Sequence, residues 1–413
     1  MIDLPHPFMY MNILRDTNEN HTLKSLIKRN HKEPIMPAAL LPNGLKDLLP
    51  PEAYAYRAIT ARVMGVFESF GYAQVKPPLA EYDSTLFADK GEHARANSFT
   101  MPAPLSGKTL AVRSDMTIQT SRIARHMMQT QSLPIRIFYM GDVLRVNAES
   151  TSEARQLSQA GLELIGVQNR EDEVISSIIE SLSSLGLDDI VIDIHMSGLL
   201  QSILIQDALD SAMQSNIMNA IQNKDNSLIP EDVPSRDLLI LLQQSGDASE
   251  TLTQIMSSPH ATDISMELNA LMHIITKIKQ SYPSISLSLD LLDTTGFEYH
   301  EGVCFSVFLN SSGLEIARGG SYAITDESGR NHAATGATLY VHRLLDVVDI
   351  KQDKQHIYIP TDADVSEARK LRENGAITVH GTFASDDVRA AEEAERLGCK
   401  AILNQKEILP LAS

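Results

Sequence analysis

Residues 134–166 read PIRIFYMGDVLRVNAESTSEARQLSQAGLELIG. Residues 136–143 alternate like a strand, with Ile137, Tyr139 and Gly141 on one side. A polar stretch at 147–153 follows, and apolar positions resume at Leu157. A second strand there places Gln159 and Glu163, an even number of residues apart, on one face. The expected unit is an antiparallel pair that carries Arg145 beside Gln159 and Glu163. An arginine, an amide and a carboxylate converging on one surface have the donors and acceptors to grip a zwitterion such as an amino acid. An ordinary exposed sheet face with solvated charges fits the same residues.

Working outward, the 413 residues have room for two or three domains and a large core. A hydrophobic content of 43% with 21% charged residues is that of a globular protein. The formal net charge of -18 weighs against a nucleic-acid partner, which calls for a basic footprint. Cys304 and Cys399 are the only cysteines, far apart and outside any CxxC, so neither a disulfide framework nor a zinc site is expected. They suit a reducing cytosol. No apolar run reaches the roughly 18 residues of a membrane span, and the first thirty residues have no apolar signal-peptide core.

In chain order, 1–35 is polar and Asn- and Lys-rich, and we expect a flexible, dispensable extension. LPNGLKDLLPPE (41–52) is a turn-rich entry to a helix whose core stripe is Tyr56, Ile59, Val63, Phe67 and Phe70. Residues 109–112 read as a strand that ends in Arg113-Ser114-Asp115-Met116-Thr117 at a helix entrance. Asp115 and Thr117 fit a helix cap there. A helix follows Gly166 and stops at Gly186, then Ile190, Ile192 and Ile194 alternate as a strand. Residues 198–280 are mostly helical, with Ile264, Leu268, Leu271, Ile274 and Ile278 the clearest stripe. Strands are expected at 284–291 and 303–309. Arg318-Gly319-Gly320-Ser321-Tyr322 then fits either backbone lying close to a ligand or a tight turn. The last 64 positions, 350–413, repeat strand–helix–strand–helix–strand.

These residues, taken in order, resemble the motifs of class II aminoacyl-tRNA synthetases, histidyl-tRNA synthetase in particular. Arg145, Arg155, Gln159 and Glu163 match motif 2 at its spacing, while Asn147 stands for a Glu and Ser152-Glu153 for a Gly-Arg. Gly44, Asp47 and Pro50 resemble the motif 1 region, whose helix builds a homodimer, and Pro77-Pro78 with Glu81 the strand after it. Asp115 and Thr117 resemble the Arg-Pro-Glu-x-Thr segment, with Asp115 replacing the Glu and Thr117 retained, and Arg343 matches the arginine of motif 3 with His342 for its glutamate. TTGFEYHEGVCF (294–305) resembles the histidine-specific Arg-Gly-x-x-Tyr-Tyr-x-Gly: Gly296, Tyr299 and Gly302 match, and His300 takes the second tyrosine's place. Thr295 stands where that family has its catalytic arginine, and a threonine supplies no formal charge to the activation step.

The resemblance spans roughly 36–349. It implies an α+β fold, an antiparallel class II sheet flanked by helices with a mostly helical insertion at about 198–283, followed by a small α/β domain at 350–413. Its departures are those of the paralogues that serve as regulatory subunits of ATP phosphoribosyltransferase. That likeness implies a non-catalytic subunit that activates a short catalytic subunit and mediates histidine feedback in the first step of histidine biosynthesis. The implied assembly is a hetero-octamer with a self-dimer through the class II core, cytoplasmic, without cofactor, metal, tRNA or membrane. The implied effector site is Asp115, Thr117, Arg145, Gln159, Glu163, Tyr299, His300 and Tyr322. In it Asp115, Thr117 and Gln159 hold the α-ammonium, Glu163 takes the imidazole and Arg145 helps with the carboxylate. Arg145 and Arg343 are residual nucleotide-site candidates. Two other readings stay open, a working histidyl-tRNA synthetase and a dimeric scaffold with an empty pocket.

Overall fold

The structure, a computed structural model, describes residues 41–88, 92–148, 154–292, 300–350 and 354–411. Among them a nine-stranded sheet is the frame. Its strands are β1 (Ala73–Gln74), β5 (Ile135–Leu144), β6 (Gln156–Ile165), β7 (Ile190–Ser197), β8 (Gly246–Asp247), β9 (Ser286–Leu289), β10 (Gly302–Leu309), β11 (Glu315–Thr325) and β12 (Asn331–Tyr340). The spatial order is β1-β5-β6-β12-β11-β10-β7-β9-β8. Pairing is antiparallel except β1 with β5 and β7 with β9. The remaining strands form a small sheet, β2 (Ala80–Tyr82), β4 (Thr109–Val112) and β3 (Thr100–Pro102), and a C-terminal sheet, β13 (His356–Ile359) to β16 (Glu407–Pro410).

The alternation read in 136–143 separates two environments. Phe138, Ala160, Leu162 and Leu164 point to one face of the sheet, where they join a continuous core with Ile59, Val63, Phe67, Val174, Ile178, Leu271 and Ile275. Those partners come from helices Glu52–Ser69, Glu171–Ser184 and Ser265–Ser281, each with apolar residues three and four apart so that one stripe faces the sheet. Phe67 and Phe138 meet edge to face at 5.8 Å between centroids, and truncating such a buried ring costs about 3–5 kcal/mol. Tyr139, Gln159 and Glu163 point to the opposite face. Helix Thr117–Met128 covers one end of that face, where Ala124 packs with Ile135, Ile137, Ile165 and Tyr322.

Several expectations need correction. Gln159 and Glu163 are 1% and 2% exposed, so the solvated sheet face is ruled out. Arg318-Gly319-Gly320-Ser321-Tyr322 is not a turn: it is the middle of β11, between β10 and β12. A Cβ on Gly319 would crowd the Phe305 ring and the Gly336 carbonyl, and one on Gly320 would lie 2.7 Å from His300 Cδ2, so crowding by neighbouring strands excludes side chains here. Phe70 caps its helix instead of lying inside it. The strand expected at 284–291 is the shorter β9, and β16 pairs antiparallel with β15 (Ala401–Asn404) beyond the expected C-terminal pattern. The segment after Gly198 is helical as expected, with β8 adding a two-residue strand at the sheet edge. The expected extension at 1–35, together with Glu153, Thr295 and Tyr299, lies outside the described residues.

Candidate functional site

The polar face of the central sheet is arranged in rows fixed by register. Glu163 of β6 lies opposite Gly336 of β12, which lies opposite Gly320 of β11. One row along, Gly161 faces Thr338, and Thr338 faces Arg318. In the next row, Gln159 faces Tyr340. The glycines make room for neighbouring side chains: the Tyr139 ring lies over Gly161, His300 over Gly320 and Glu163 over Gly336. A Cβ on Gly336 would overlap the Glu163 carboxylate.

Asp115, Thr117, Arg145, Gln159, Glu163, His300 and Tyr322 all line one pocket, together with Arg318, Gly319, Gly336, Ala337, Thr338 and Tyr340. Its cavity volume is about 60 Å³, small beside the 300–1,000 Å³ usual for sites that take drug-sized ligands. The first two residues enter from the loop before helix Thr117–Met128. There Asp115 Oδ1 accepts from the Thr117 backbone N–H at 2.7 Å, so Asp115 organises the helix entrance and faces the pocket at once. His300 is buried and stands edge to face against Tyr322, ring centroids 6.4 Å apart.

Glu163 dominates the electrostatics. Tyr322 Oη donates to its Oε2 at 2.8 Å, and no cation pairs with it among the described residues. Burial raises its pKa, the Tyr322 bond pulls it down, and the charge of Asp115 raises it further, to about 8. The carboxyl is therefore mostly protonated near neutral pH and ionises when a ligand brings positive charge. Tyr139, fully buried with its ring over Gly161, is held far above the ordinary phenol range by burial, with Glu163 and Asp115 adding to it. Its hydroxyl and Thr338 Oγ1 share a hydrogen bond of 2.9 Å. The buried Gln159 side-chain oxygen has no hydrogen-bond partner among the described residues, an orphan acceptor that a ligand's N–H would satisfy.

Arginines stand at the other end. Arg145 Nε donates to the Ser114 carbonyl at 3.2 Å, and Arg155 Nε to the Arg145 carbonyl at 3.2 Å. Arg343 is not among the pocket-lining residues. Its guanidinium donates to the Glu315 carbonyl at 2.6 Å and to Glu315 Oε2 at 3.2 Å, and lies 4.4 Å from the Tyr340 ring centroid. Its position behind the wall gives no support to it as a nucleotide contact. Arg318, Tyr340 and Thr338 are the lining residues that sequence reasoning missed. The signal was present: Arg318, Gly320 and Tyr322 recur at period two, and Tyr322 had already been singled out.

Asp115 and Glu163, Arg145 and Arg318, and the orphan Gln159 oxygen line the same pocket, which therefore offers groups of both charges to a small polar ligand. Among the described residues no cluster of three or more His, Cys, Asp or Glu is placed to hold a metal ion, and no helix is long and apolar enough to cross a membrane.

The sequence profile of the histidyl-tRNA synthetase family matches residues 44–344. A protein of Gluconobacter oxydans named ATP phosphoribosyltransferase regulatory subunit is 33% identical over 378 residues, 91% of this chain and 98% of that protein. One of the same name from Rhodospirillum centenum is 32% identical over 372 residues, covering 89% and 95%. Among solved structures, an ATP phosphoribosyltransferase regulatory subunit/histidyl-tRNA synthetase from Bacillus halodurans superposes with a TM-score of 0.71 at 20% identity, over 89% of this chain and 98% of that one. Histidyl-tRNA synthetase from Nostoc sp. PCC 7120 gives 0.69 at 16% identity, over 88% and 90%. At such identities the two structures speak for the fold.

Proposed function

Because this chain belongs to the family of ATP phosphoribosyltransferase regulatory subunits, built on the histidyl-tRNA synthetase fold, we propose that it activates a short catalytic subunit and carries the histidine feedback of the complex. A regulatory subunit partners a catalytic one. The finer reading is a cytoplasmic hetero-octamer whose regulatory chains pair through the class II core, without tRNA as a ligand.

One observation carries the effector reading. Glu163 is a buried carboxyl, bonded by Tyr322 and paired with no cation among the described residues, in the wall of the pocket. A buried acid of this kind is costly unless a ligand completes it. Histidine does so with its imidazole, which carries a proton-binding nitrogen near neutral pH. Asp115, Thr117 and Gln159 are then the groups for its α-ammonium, and the arginines are the groups for its carboxylate. The chain performs no chemistry of its own in this reading. Ligand occupancy acts by biasing the partner, and coupling of this sort is usually worth about 1–3 kcal/mol.

The test is a mixture of the two subunits followed by light scattering and histidine titration calorimetry. A heteromer that binds histidine supports the reading. Absence of both complex and binding removes it.

A further inference from the structure

Resting on the reading of the pocket as an amino-acid effector site, we propose that Arg318 binds the effector's carboxylate and so makes the site selective for an amino acid over the corresponding amine. In chain order this position precedes a glycine pair, and only the β10–β11–β12 register brings it to the pocket.

Register sets the distance. Arg318 lies two strands across and two residues along from Glu163. At about 4.8 Å between strands and 3.4 Å per residue, their Cα atoms are roughly 12 Å apart. Both side chains line the same pocket. Gly336, between them on β12, has no side chain of its own, and the Glu163 carboxylate lies over it on the pocket side.

Arg318 is also held in place. Its Nε donates to Glu315 Oε1 at 2.8 Å, while Arg343 takes Glu315 Oε2 at 3.2 Å and the Glu315 carbonyl at 2.6 Å. Two guanidinium groups thus share the Glu315 carboxylate. The planar guanidinium fork suits a carboxylate partner. Arg343, stacked on Tyr340, acts on the site through Glu315, as a positioning residue. Arg145 is placed differently. It pairs with Arg155, eight positions along β5 from Ile137, the residue opposite Glu163, and its Nε is engaged by the Ser114 carbonyl. It stands at the outer end of the pocket, where the sequence reading had assigned it the carboxylate.

The experiment is titration calorimetry of the full chain with histidine and with histamine, which lacks the carboxylate. The unaltered chain is expected to prefer histidine by about 10- to 100-fold, the range of a buried charge-assisted pair. Arg318→Ala should collapse that preference to near unity while histamine affinity is held or improved, which also certifies a folded pocket. Arg318→Lys should restore part of it. The proposal is overturned if Arg318→Ala keeps the preference, or if the preference collapses in Arg145→Ala and not in Arg318→Ala. A chain that binds neither compound overturns the effector reading together with the proposal, whereas intact histidine selectivity in Arg318→Ala overturns the proposal alone.

Discussion

Tyr322 and Glu163, 159 residues apart in sequence, are joined by a hydrogen bond of 2.8 Å buried between β11 and β6. It forms because β12 lies between their strands and presents Gly336 exactly where a side chain would displace the carboxyl. The bond orients the acid toward the pocket without neutralising it. Glu163→Ala should weaken histidine binding at least tenfold, since a hydrogen bond to a charged partner is worth about 1.5–3 kcal/mol. Tyr322→Phe should weaken it less. Calorimetry on both variants checks this, and unchanged affinity in Glu163→Ala moves the effector site elsewhere.

Protonation of Glu163 gives a pH signature. Its pKa is raised to about 8 by burial, against an ordinary 4.5. The native state therefore holds a proton that the unfolded chain releases between those values, so stability attributable to this group falls as pH rises from 4.5 to 8. Glu163→Gln removes the cost and should gain stability relative to the unaltered chain over that window, by about 1.4 kcal/mol per pH unit at most. Urea unfolding at several pH values measures the gap. A gap that stays constant contradicts the assignment.

Histidine affinity should peak between the imidazole pKa of about 6.5 and the Glu163 value. Within that range ring and carboxyl together hold the single proton that an imidazolium–carboxylate pair needs. Below it one proton must leave on binding, and above it one must be taken up. The charged and titratable groups that line the pocket with Glu163 are Asp115, Tyr322, His300, Arg318 and Arg145, with Tyr139 buried beside them. Calorimetry in buffers of different ionisation enthalpy reads the protons directly. A flat profile across pH 6–9 counts against the coupling.

Gly336→Ala tests the packing. The added methyl must push the Glu163 carboxylate aside or shift the strand, and overpacking typically costs about 1–3 kcal/mol. Histidine affinity should fall along with unfolding stability, whereas a substitution that leaves both unchanged shows the two strands to be less closely set.

Much of this site was legible in the sequence because its parts are local. The period-two pattern of 134–166 fixes which residues of β5 and β6 share a face, and a two-residue spacing ties Asp115 to Thr117. Arg318 was hidden because a Gly-Gly pair reads as a turn in isolation. The pair lies in a strand only because β10 and β12 flank it and leave no room for side chains. The same long-range pairing inserts β12 between β6 and β11, an order that no local pattern encodes. Arg343 shows the opposite case: its motif position is clear in the sequence, but its bonds to Glu315, 28 residues away, are not.

The central claim is that this chain regulates another enzyme subunit through histidine. The most direct measurement is phosphoribosyl-ATP formation by the short catalytic subunit, alone and with this chain, across a histidine titration. Activity should rise on mixing and then fall as histidine is added, with Glu163→Ala shifting the inhibition to higher concentrations. No activation on mixing, together with no change in histidine sensitivity, contradicts the account.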